Sequence, residues 1–558
     1  MDVIDAELQR DIERVVGAEY VGASQHAMGG AYEGADRFDR SLAMWSPPIQ
    51  SADADLLPDK PMADARVRDM QRNDGYVQRG TALWRDHIVG AMYMLNSKPN
   101  TDVLGLDDVW AEEFQIETES KFMLAAESTN NWFDAARGLT FTGLVRLAVG
   151  VYAAAGEFLA TVEWLRDEPR PFHTGIQMVD VDRLSTPFTQ TTGSRVRGGI
   201  RVNQYGAPQG YYIRRAGTGV LGMAMSPQDH VYVPARKPWG RRQVLHFREP
   251  MRPDQTRGIA ELVAGLKEMR ITKNFRSLTL QNAAVNAMFA ASIKSELPPD
   301  IAFQSIGGSN GVTGGAVGQA VNAYANEYMK AVAKYAGGAK GLQLDGVKIP
   351  HLWPGTELDL RPLGNPGGVG QEFEQGLLRY IAATLGVGYE ELAKDYSRTN
   401  YSSARAAMNE TWRAMQARKK LIADFFANCV YALWFEEMMN RGELETMKYR
   451  RAPNFYEGLN AEAYLAADWI GASRGQIDEL KETQAATLRI KYGLSTHEDE
   501  LARLGKDWRR VYKQLERERN ERERRGIELQ ESNAVNAASG DTREADAADA
   551  DERNSGNG

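Results

Sequence analysis

The spacing of apolar residues predicts helices in the first third of the chain. Residues 61–95 have apolar positions at loosely helical intervals, and the Asn-Asp-Gly triplet at 73–75 is typical of a break in the run. The apolar positions in this run are Val67, Met70, Val77 and Leu83. Two further helices are predicted over 107–135 and 140–155.

From Glu157 the pattern changes to short β-type runs separated by Gly, Pro and Asn, so residues 157–250 are predicted to form a mainly β part packed with the earlier helices. The most apolar window is 138–164. Its uncharged run, 147–156, is about ten residues long, whereas a membrane span needs roughly twenty. We therefore expect a buried helix that leads into a strand.

The middle of the chain predicts a long helix followed by a loop-rich insert. Residues 256–295 contain no proline, and their apolar positions recur at helical spacing over about 60 Å at 1.5 Å per residue. Residues 297–368 are rich in Gly, Pro and Asn, with strand candidates at 347–352 and 357–360.

Helical patterns return after this insert. A helix is predicted over 371–385, followed by the polar segment KDYSRTNYSS at 394–403. A second long helix is predicted over 402–441, with Gly442 as its C-terminal cap. Residues 458–525 are typical of short helices that end in a strongly charged one. The first 60 residues give little periodicity, and 531–558 have the composition of a disordered tail.

Composition limits the possible functions. Among 558 residues, 25% are charged and 43% hydrophobic, as in ordinary globular proteins. Cys429 is the single cysteine, so an intramolecular disulfide and a cysteine-based metal cluster are excluded. The net charge of −8 predicts that any DNA contact is loose, local or geometric. The N-terminus is charged throughout, so we expect a soluble intracellular protein rather than a secreted one.

Motifs for catalysis are weak. GTGVLG at 217–222 fits GxGxxG, but a loop and strand follow where a helix is needed. The glycine loop at 307–318 lacks the GK[ST] ending of a phosphate loop. The pattern GxSxG occurs at 307–311 within this loop and at 471–475 after a run predicted to be helical, whereas a nucleophile elbow follows a strand. With seven scattered histidines, the sequence predicts no enzyme, no catalytic residue, no metal site and no cofactor.

Two charged segments allow more than one interpretation. Four cations three residues apart wind around the first long helix, either as a solvated face or as a basic stripe facing DNA if the helix lines a pore. They are Lys267, Arg270, Lys273 and Arg276. Residues 509–525 mix both signs, which favours an exposed salt-bridged helix over a nucleic-acid patch because glutamates are interleaved.

The order of these elements resembles the lambda-type tailed-bacteriophage portal family over about 60–525. The resemblance is carried by QRNDGYVQRGTALWRDHIVG, AAAGEFLATVEW, VLHFREPMRPDQTRGIAEL and PGTELDL, and most specifically by LLRYIAATLGVGYEELAKDYSRTNYSSARAAMNETWR. The segment from WIGASRGQIDEL onward is similar to the family's C-terminal region, although Glu479-Leu480 stands where members often have proline.

The resemblance implies an α+β, predominantly helical portal fold that assembles as a homo-dodecameric ring around a central channel. Its implied parts are an N-terminal segment (1–60), wing (61–253), stem helix (254–296), clip (297–368), second stem helix (369–392), tunnel loop (393–403), long helix returning to the wing (404–457), crown (458–526) and disordered tail (527–558).

The implied function is a head–tail connector at one capsid vertex, assembled in the host cytoplasm, through which double-stranded DNA is packaged and later ejected. Implied partners are the terminase large subunit, a head–tail adaptor, and the major capsid and scaffold proteins. A mostly acidic channel with a few cations would let DNA slide. The expected channel residues are the four stem cations and the tunnel-loop residues Lys394, Asp395, Tyr396, Ser397, Arg398, Thr399 and Asn400.

Two alternatives belong to other classes. A packaging hydrolase or nuclease would need a phosphate loop or clustered metal-binding carboxylates, and the sequence presents neither motif. A capsid or scaffold protein without a channel would share the composition and the long helices but would not form a ring.

Overall fold

A computed structural model of the chain describes residues 44–166, 169–190, 195–216, 229–291, 342–344, 347–349, 369–397, 399–448, 452–475 and 478–527, with positions 323, 326 and 330. The predictions for 1–43, 217–222, 307–318, 357–360 and 531–558 lie outside these residues. Within them the fold mixes helices with small antiparallel sheets and helix predominates, which confirms the α+β class.

Of the six described helices before Glu157, all but the second begin at a residue whose side chain caps them. They are α1 (Ala52–Leu56), α2 (Lys60–Asn73), α3 (Gly75–Ile88), α4 (Thr101–Leu104), α5 (Asp108–Ala126) and α6 (Phe141–Ala155). The predicted break is confirmed: Asp74 is extended and its carboxylate accepts from the amides of Tyr76 and Val77 at 3.0 and 3.1 Å, starting α3. The four predicted apolar positions of this region are buried.

The sheets are short and antiparallel. Their strands are β1 (Met94–Ser97), β2 (Glu157–Trp164), β3 (Thr174–Val179), β4 (Val196–Arg197), β5 (Ile200–Val202), β6 (Pro208–Arg214), β7 (His230–Pro234), β8 (Val244–Arg248), β9 (Leu342–Leu344), β10 (Val347–Ile349) and β11 (Ala467–Ile470). One sheet has the order β3-β2-β8 and another β4-β5-β6-β7, which confirms the predicted β part. Strand β10 confirms the candidate at 347–352 where that segment is described.

Gly156 makes the turn from α6 into β2, as expected for a buried helix that leads into a strand. Its φ is +70°, and a β-carbon at this position would overlap the carbonyl of Ile259. A glycine is therefore needed both for the left-handed backbone and for the close approach of residues 258–259.

The first long helix starts later than predicted. Residues 256–260 are not helical, a 3-10 turn covers Glu261–Gly265, and α7 is Leu266–Ala291. The reason is local: Thr256 donates from its amide and hydroxyl to Asp53 Oδ1 at 2.8 and 3.0 Å, and Arg257 is buried against β2. Because these contacts hold the segment extended, the prediction of a helix from 256 was wrong.

The second helical region follows the prediction closely. It consists of α8 (Val369–Leu385), α9 (Tyr389–Ala393), α10 (Tyr401–Arg418), a π-helical turn (Lys419–Ala423) and α11 (Asp424–Asn440). Gly442 has φ +69°, and its amide and that of Glu443 bond back to Met439 and Met438, both at 2.9 Å. This is a Schellman end, as predicted for a glycine after the last helical residue.

The last described region contains α12 (Asn460–Tyr464), α13 (Glu479–Lys491), α14 (His497–Arg503), α15 (Trp508–Arg525) and strand β11. The prediction of an unbroken helical run before residue 471 was wrong, because Met94 to Ser97 of β1 pair with Ile470 to Ala467 of β11. This pairing joins parts of the chain that are far apart in sequence.

Aromatic rings fill the main core. Phe122 of α5 lies at their centre, with ring centroids 5.1–5.8 Å from five other rings. These are Phe133, Phe141, Tyr431, Trp434 and Trp469. In α11, Phe426 and Trp434 are buried in the same core. No helix within the described residues is both long and apolar enough to cross a membrane.

Candidate functional site: the paired long helices and their loop

Helices α7 and α8 pack side by side and run antiparallel. A β-carbon on Gly265 would lie 2.9 Å from Thr384 Oγ1, while farther along Phe275 stacks edge-on with Phe373 at 5.4 Å and Arg276 binds Glu374. Residue numbers rise on one helix as they fall on the other. The pair is therefore a helical hairpin, and the chain between its two arms contains the Gly/Pro-rich insert.

The four cations of α7 do not share one face. A helix turns by about 100° per residue, so three-residue spacing places the first and fourth cation on opposite sides. Lys267 and Arg270 are exposed and Lys273 is half-buried. None of these three makes an ion pair with a described residue.

Arg276 is engaged within its own chain. Its Nε donates to Glu374 Oε1 at 2.7 Å, and its Nη1 lies 3.8 Å from Asp74 Oδ2. The guanidinium carbon sits 4.2 Å from the centre of the Tyr76 ring. Arg276 thus ties α7 to both α8 and the start of α3, and its predicted DNA contact stays a prediction.

Lys267 and Arg270 border a cleft of about 850 Å³ between α2 and α7. Its lining mixes apolar side chains with charged groups of both signs. The lining residues from α2 and its cap are Asp59, Met62, Ala63, Arg66, Asp69 and Met70, and those from the other side include Val263, Leu266 and Ile271.

Both arms of the hairpin carry large apolar side chains that stay substantially exposed within the described chain. On α7, Ile271 and Leu278 are 42% and 63% exposed, and on α8, Phe373 and Tyr380 are 50% and 46% exposed. Each pair is seven residues apart, which places its members on one face of its helix. We call these four side chains the hairpin stripe.

The predicted tunnel loop is a short structured turn between α9 and α10. Lys394 ends α9 with φ +57° and is exposed. The Asp395 carboxylate accepts from the amide and hydroxyl of Ser397 at 3.1 and 2.6 Å, and from the Tyr389 hydroxyl at 3.3 Å. These bonds close an Asx-type turn, so Asp395 has a structural role in shaping the loop.

The far side of the turn is fixed by the start of the next helix. The side chain of Asn400 caps α10 by accepting from the Ser403 amide at 2.8 Å, and Thr399 Oγ1 lies 3.4 Å from Glu390. Tyr396 is exposed, and Arg398 lies outside the described residues. Burial, together with the nearby Glu391 and Glu390, raises the pKa of Tyr396, so its hydroxyl stays protonated at neutral pH.

A buried charge cluster, which the sequence analysis missed, lies where the chain leads into α7. Arg257 Nε donates to Glu157 Oε1 at 2.8 Å, and the Gly258 amide donates to Oε2 at 2.8 Å. Lys60 Nζ lies 3.2 Å from the same carboxylate, and His246 Nε2 lies 3.1 Å from it. The remaining guanidinium donors of Arg257 reach carbonyls of Leu184, Gly198 and Val181 at 2.8–3.0 Å.

Two cations offset the buried Glu157 carboxylate, and Lys60 also pairs with Asp64 at 3.0 Å. Burial alone would raise the pKa of Glu157, but Arg257, Lys60 and the His246 hydrogen bond outweigh it and hold that pKa well below its usual value. Burial lowers the pKa of His246 despite the carboxylate beside it, so the imidazole is neutral at pH 7. The one available signal in sequence was a charged residue, Glu157, at the start of an apolar strand.

The weak catalytic motifs gain little from the structure. The GASRG segment at 471–475 follows strand β11, which corrects the premise that a helix precedes it. However, α13 begins only at Glu479, and Ser473 has no hydrogen bond to a histidine among the described residues. No group of three metal-ligating side chains is found in that same part of the chain. Burial raises the pKa of Cys429, which keeps the thiol protonated.

Comparisons with known proteins agree with one another. The family model described as "Phage portal protein, lambda family" matches residues 38–419. Portal protein B of Escherichia phage lambda is 35% identical over 498 residues, covering 89% of this chain and 91% of the relative. The portal protein of Escherichia phage N15 is also 35% identical, over 91% of this chain and 92% of the relative.

A solved structure titled as the neck of an empty GTA particle covers 79% of this chain and 93% of its own, at 13% identity. Its TM-score is 0.35. The match to the family model and the two relatives at 35% identity show the family. The chain belongs to the lambda family of phage portal proteins and is a portal, or head–tail connector, subunit.

Proposed function

We propose that this portal subunit assembles as a homo-dodecameric ring at one capsid vertex, and that double-stranded DNA passes through the ring during packaging and ejection. The observation that carries the proposal is the hairpin stripe. Side chains of this size, 42–63% exposed on two packed helices, need a partner to leave water. A head-to-tail contact between the two arms of neighbouring hairpins closes a ring when it is repeated.

The proposal includes an assignment of the parts of the subunit. The hairpin arms within 254–296 and 369–392 form the stem around the channel, and the turn in 393–403 is the tunnel loop. The helices and sheets of 61–253, with the long helix of 404–457, form the wing, and 458–526 form the crown. The insert at 297–368 is the clip, where loops meet the terminase large subunit and later the head–tail adaptor. Contacts with the major capsid and scaffold proteins belong to the outer wing.

The channel surface touches DNA lightly. Lys267, Arg270 and Lys273 have no ion-pair partner among the described residues, so they are available to phosphates, and Lys394 and Tyr396 are exposed on the tunnel loop. The net charge of −8 keeps the sum of attractions small, because every phosphate contact strengthens binding and slows sliding. Arg276 has in-chain partners that make it mainly a brace of the hairpin.

The subunit is proposed to perform no chemistry of its own. The energy for moving DNA then comes from a separate motor ATPase docked on the clip. The protein acts in the virion, at the capsid vertex, after assembly in the host cytoplasm.

Sedimentation of purified full-length protein tests the stripe. The unaltered chain should sediment as a large closed oligomer, whereas Leu278→Asp and Phe373→Asp should shift it to small species, because a charge enters an apolar contact. Leu124→Asp, on the exposed face of α5 at 77% exposure, is the matched control for charge and surface position. If both stripe variants assemble as well as this control, the stripe is not the subunit contact.

A further inference from the structure

Helix α15 differs in charge from the rest of the protein. Residues 509–525 contain eight Lys or Arg and four Glu, in a chain whose net charge is −8. In sequence the two signs alternate, which favoured a simple salt-bridged helix.

The helical twist places cations and glutamates that alternate in the sequence on different faces of α15. At about 100° per residue, Arg510, Lys513 and Arg517 lie within roughly 60° of one another around the axis. No glutamate of α15 falls inside that arc, since the four lie on the flanks and on the opposite side. All three cations are exposed. We call them the α15 strip.

The three strip cations also form no ion pair with a described residue. Most other cations of the helix have carboxylate partners in the described chain, Arg522 excepted: Arg524 and Arg525 both lie 2.6 Å from Glu521, and Arg519 lies 3.8 Å from Glu523. Within the described residues, no carboxylate lies within 4.0 Å of a strip cation. Glu112 and Glu516 border the same cleft as Arg510 and Lys513, and they too lie beyond 4.0 Å.

The strip is held in a fixed direction by the start of the helix. Arg509 Nη1 lies 3.2 Å from Glu119 Oε2 of α5, and Glu119 Oε1 in turn accepts from the Ser97 amide at 2.8 Å. Trp508 stacks edge-on against Tyr512 with centroids 5.5 Å apart. Asp507 caps the first turn by accepting from the Arg510 amide at 2.7 Å. The strip therefore belongs to a docked helix rather than to a loose tail.

We propose that Arg510, Lys513 and Arg517 form a contact surface for the phosphate backbone of duplex DNA. The three cations span about 10 Å along the helix at 1.5 Å per residue, and duplex DNA carries one phosphate per roughly 3.4 Å of axis on each strand. A row of that length meets two or three phosphates. The strip carries only cations, so the contact is independent of sequence, and its small number of charges keeps it readily reversible.

This inference rests on the proposed passage of DNA through a ring of these subunits, and it adds a specific surface outside the helical hairpin. An acidic protein surface would complement the same charges. Duplex DNA is favoured because it presents an unbroken line of negative charges to the single-sign row of the strip.

The test uses full-length protein and a fluorescent duplex of arbitrary sequence, with binding followed by anisotropy over a series of salt concentrations. The test variant is R510Q/K513Q/R517Q. The matched control is R519Q/R522Q/R525Q, which removes the same charge from the other faces of the same helix. Electron microscopy of both variants checks that they assemble like the unaltered chain.

Each lost phosphate contact should reduce the slope of log K against log salt by about 0.9, so the strip variant should lose roughly 2–3. The control should retain the slope of the unaltered protein. Any of three results would overturn the inference. They are an equal loss of slope in both variants, an unchanged slope in the strip variant, and no salt-dependent binding by the unaltered protein. An acidic polypeptide that binds the strip in preference to DNA would also overturn it. Normal rings with an unchanged slope reject the strip alone, whereas failure of the unaltered chain to form rings rejects the proposed function.

Discussion

Arg257 and Glu157 form a buried bidentate pair that joins the segment leading into α7 to the first residue of strand β2, with Nε–Oε1 and Nε–Oε2 distances of 2.8 and 3.1 Å. Every guanidinium nitrogen of Arg257 has an acceptor, and the carboxylate also receives the Gly258 amide. The pair therefore fixes the segment that leads into α7 against strand β2.

Arg257→Ala should lower the free energy of unfolding by about 3–5 kcal/mol, because it leaves the Glu157 carboxylate buried with one fewer cation. Urea unfolding followed by tryptophan fluorescence measures the change. Lys448→Ala, which removes an exposed ion pair with Glu445, is the control and should cost about 1 kcal/mol or less. Equal costs for the two variants would contradict the structural role of the buried pair.

Gly156→Ala should destabilise the protein strongly. The substitution forces an L-residue to φ +70° and drives a β-carbon into the Ile259 carbonyl, so one of the two segments must move. Gly75→Ala is the control, since a β-carbon there meets nothing within 4 Å. Thermal unfolding should show a marked loss for the first variant and little change for the second, and a tolerated Gly156→Ala would mean that the turn from α6 to β2 is not as tight as described.

The three α7 cations without an ion pair among the described residues should affect DNA packaging or retention and not stability. The triple change K267Q/R270Q/K273Q should leave the unfolding midpoint and ring assembly unchanged but alter the amount of DNA packaged or retained. The reason is that these side chains have no ion pair among the described residues to lose. DNA content per purified particle is the measurement. Normal packaging and normal retention in this variant would reject the channel role of the three cations.

Arg276→Gln should behave differently. It loses a charge-assisted hydrogen bond to Glu374 and a contact with the Tyr76 ring, which corresponds to about 1.5–3 kcal/mol of stability. The drop should appear in the unfolding midpoint of the assembled protein. Unchanged stability together with a packaging defect would contradict the bracing role. Arg276 would then act in the channel, as proposed for the other three α7 cations.

The link between α13 and α14 made by Arg489 and Glu500 should weaken in acid. The hydrogen bond from Arg489 lowers the pKa of Glu500 to about 2 from an ordinary 4.5. A carboxyl group whose pKa is lower in the folded state stabilises that state above pH 4.5, and the contribution is lost as the pH falls from 4.5 toward 2. Hydrogen exchange of residues 479–503, corrected for the intrinsic rate at each pH, should show this loss. Glu500→Gln should remove the pH dependence, and an identical dependence in that variant would exclude Glu500 as its source.

Local signals in the sequence were reliable guides to structure. The Asn-Asp-Gly triplet predicted the break at Asp74, and Gly442 predicted the end of α11, because capping and left-handed turns depend on neighbouring residues alone. Strand β11 was missed because its pairing partner, β1, lies more than 350 residues earlier in the chain. The non-helical residues 256–260 were missed for the same reason, since Asp53 and Glu157 hold them from a distance.

The candidate site was predictable only in part. The spacing of the four α7 cations already implied that they wind around the helix, but not that Arg276 meets Glu374 and Asp74. Likewise, the alternating signs of 509–525 gave no direct sign of the α15 strip. Which cations remain free depends on tertiary neighbours, which one-dimensional charge patterns do not contain.

Electron microscopy of the purified full-length chain tests the central claim most directly. The account predicts closed rings of twelve subunits with a central opening wider than duplex DNA. Filaments, shells, or monomers without a ring would contradict it.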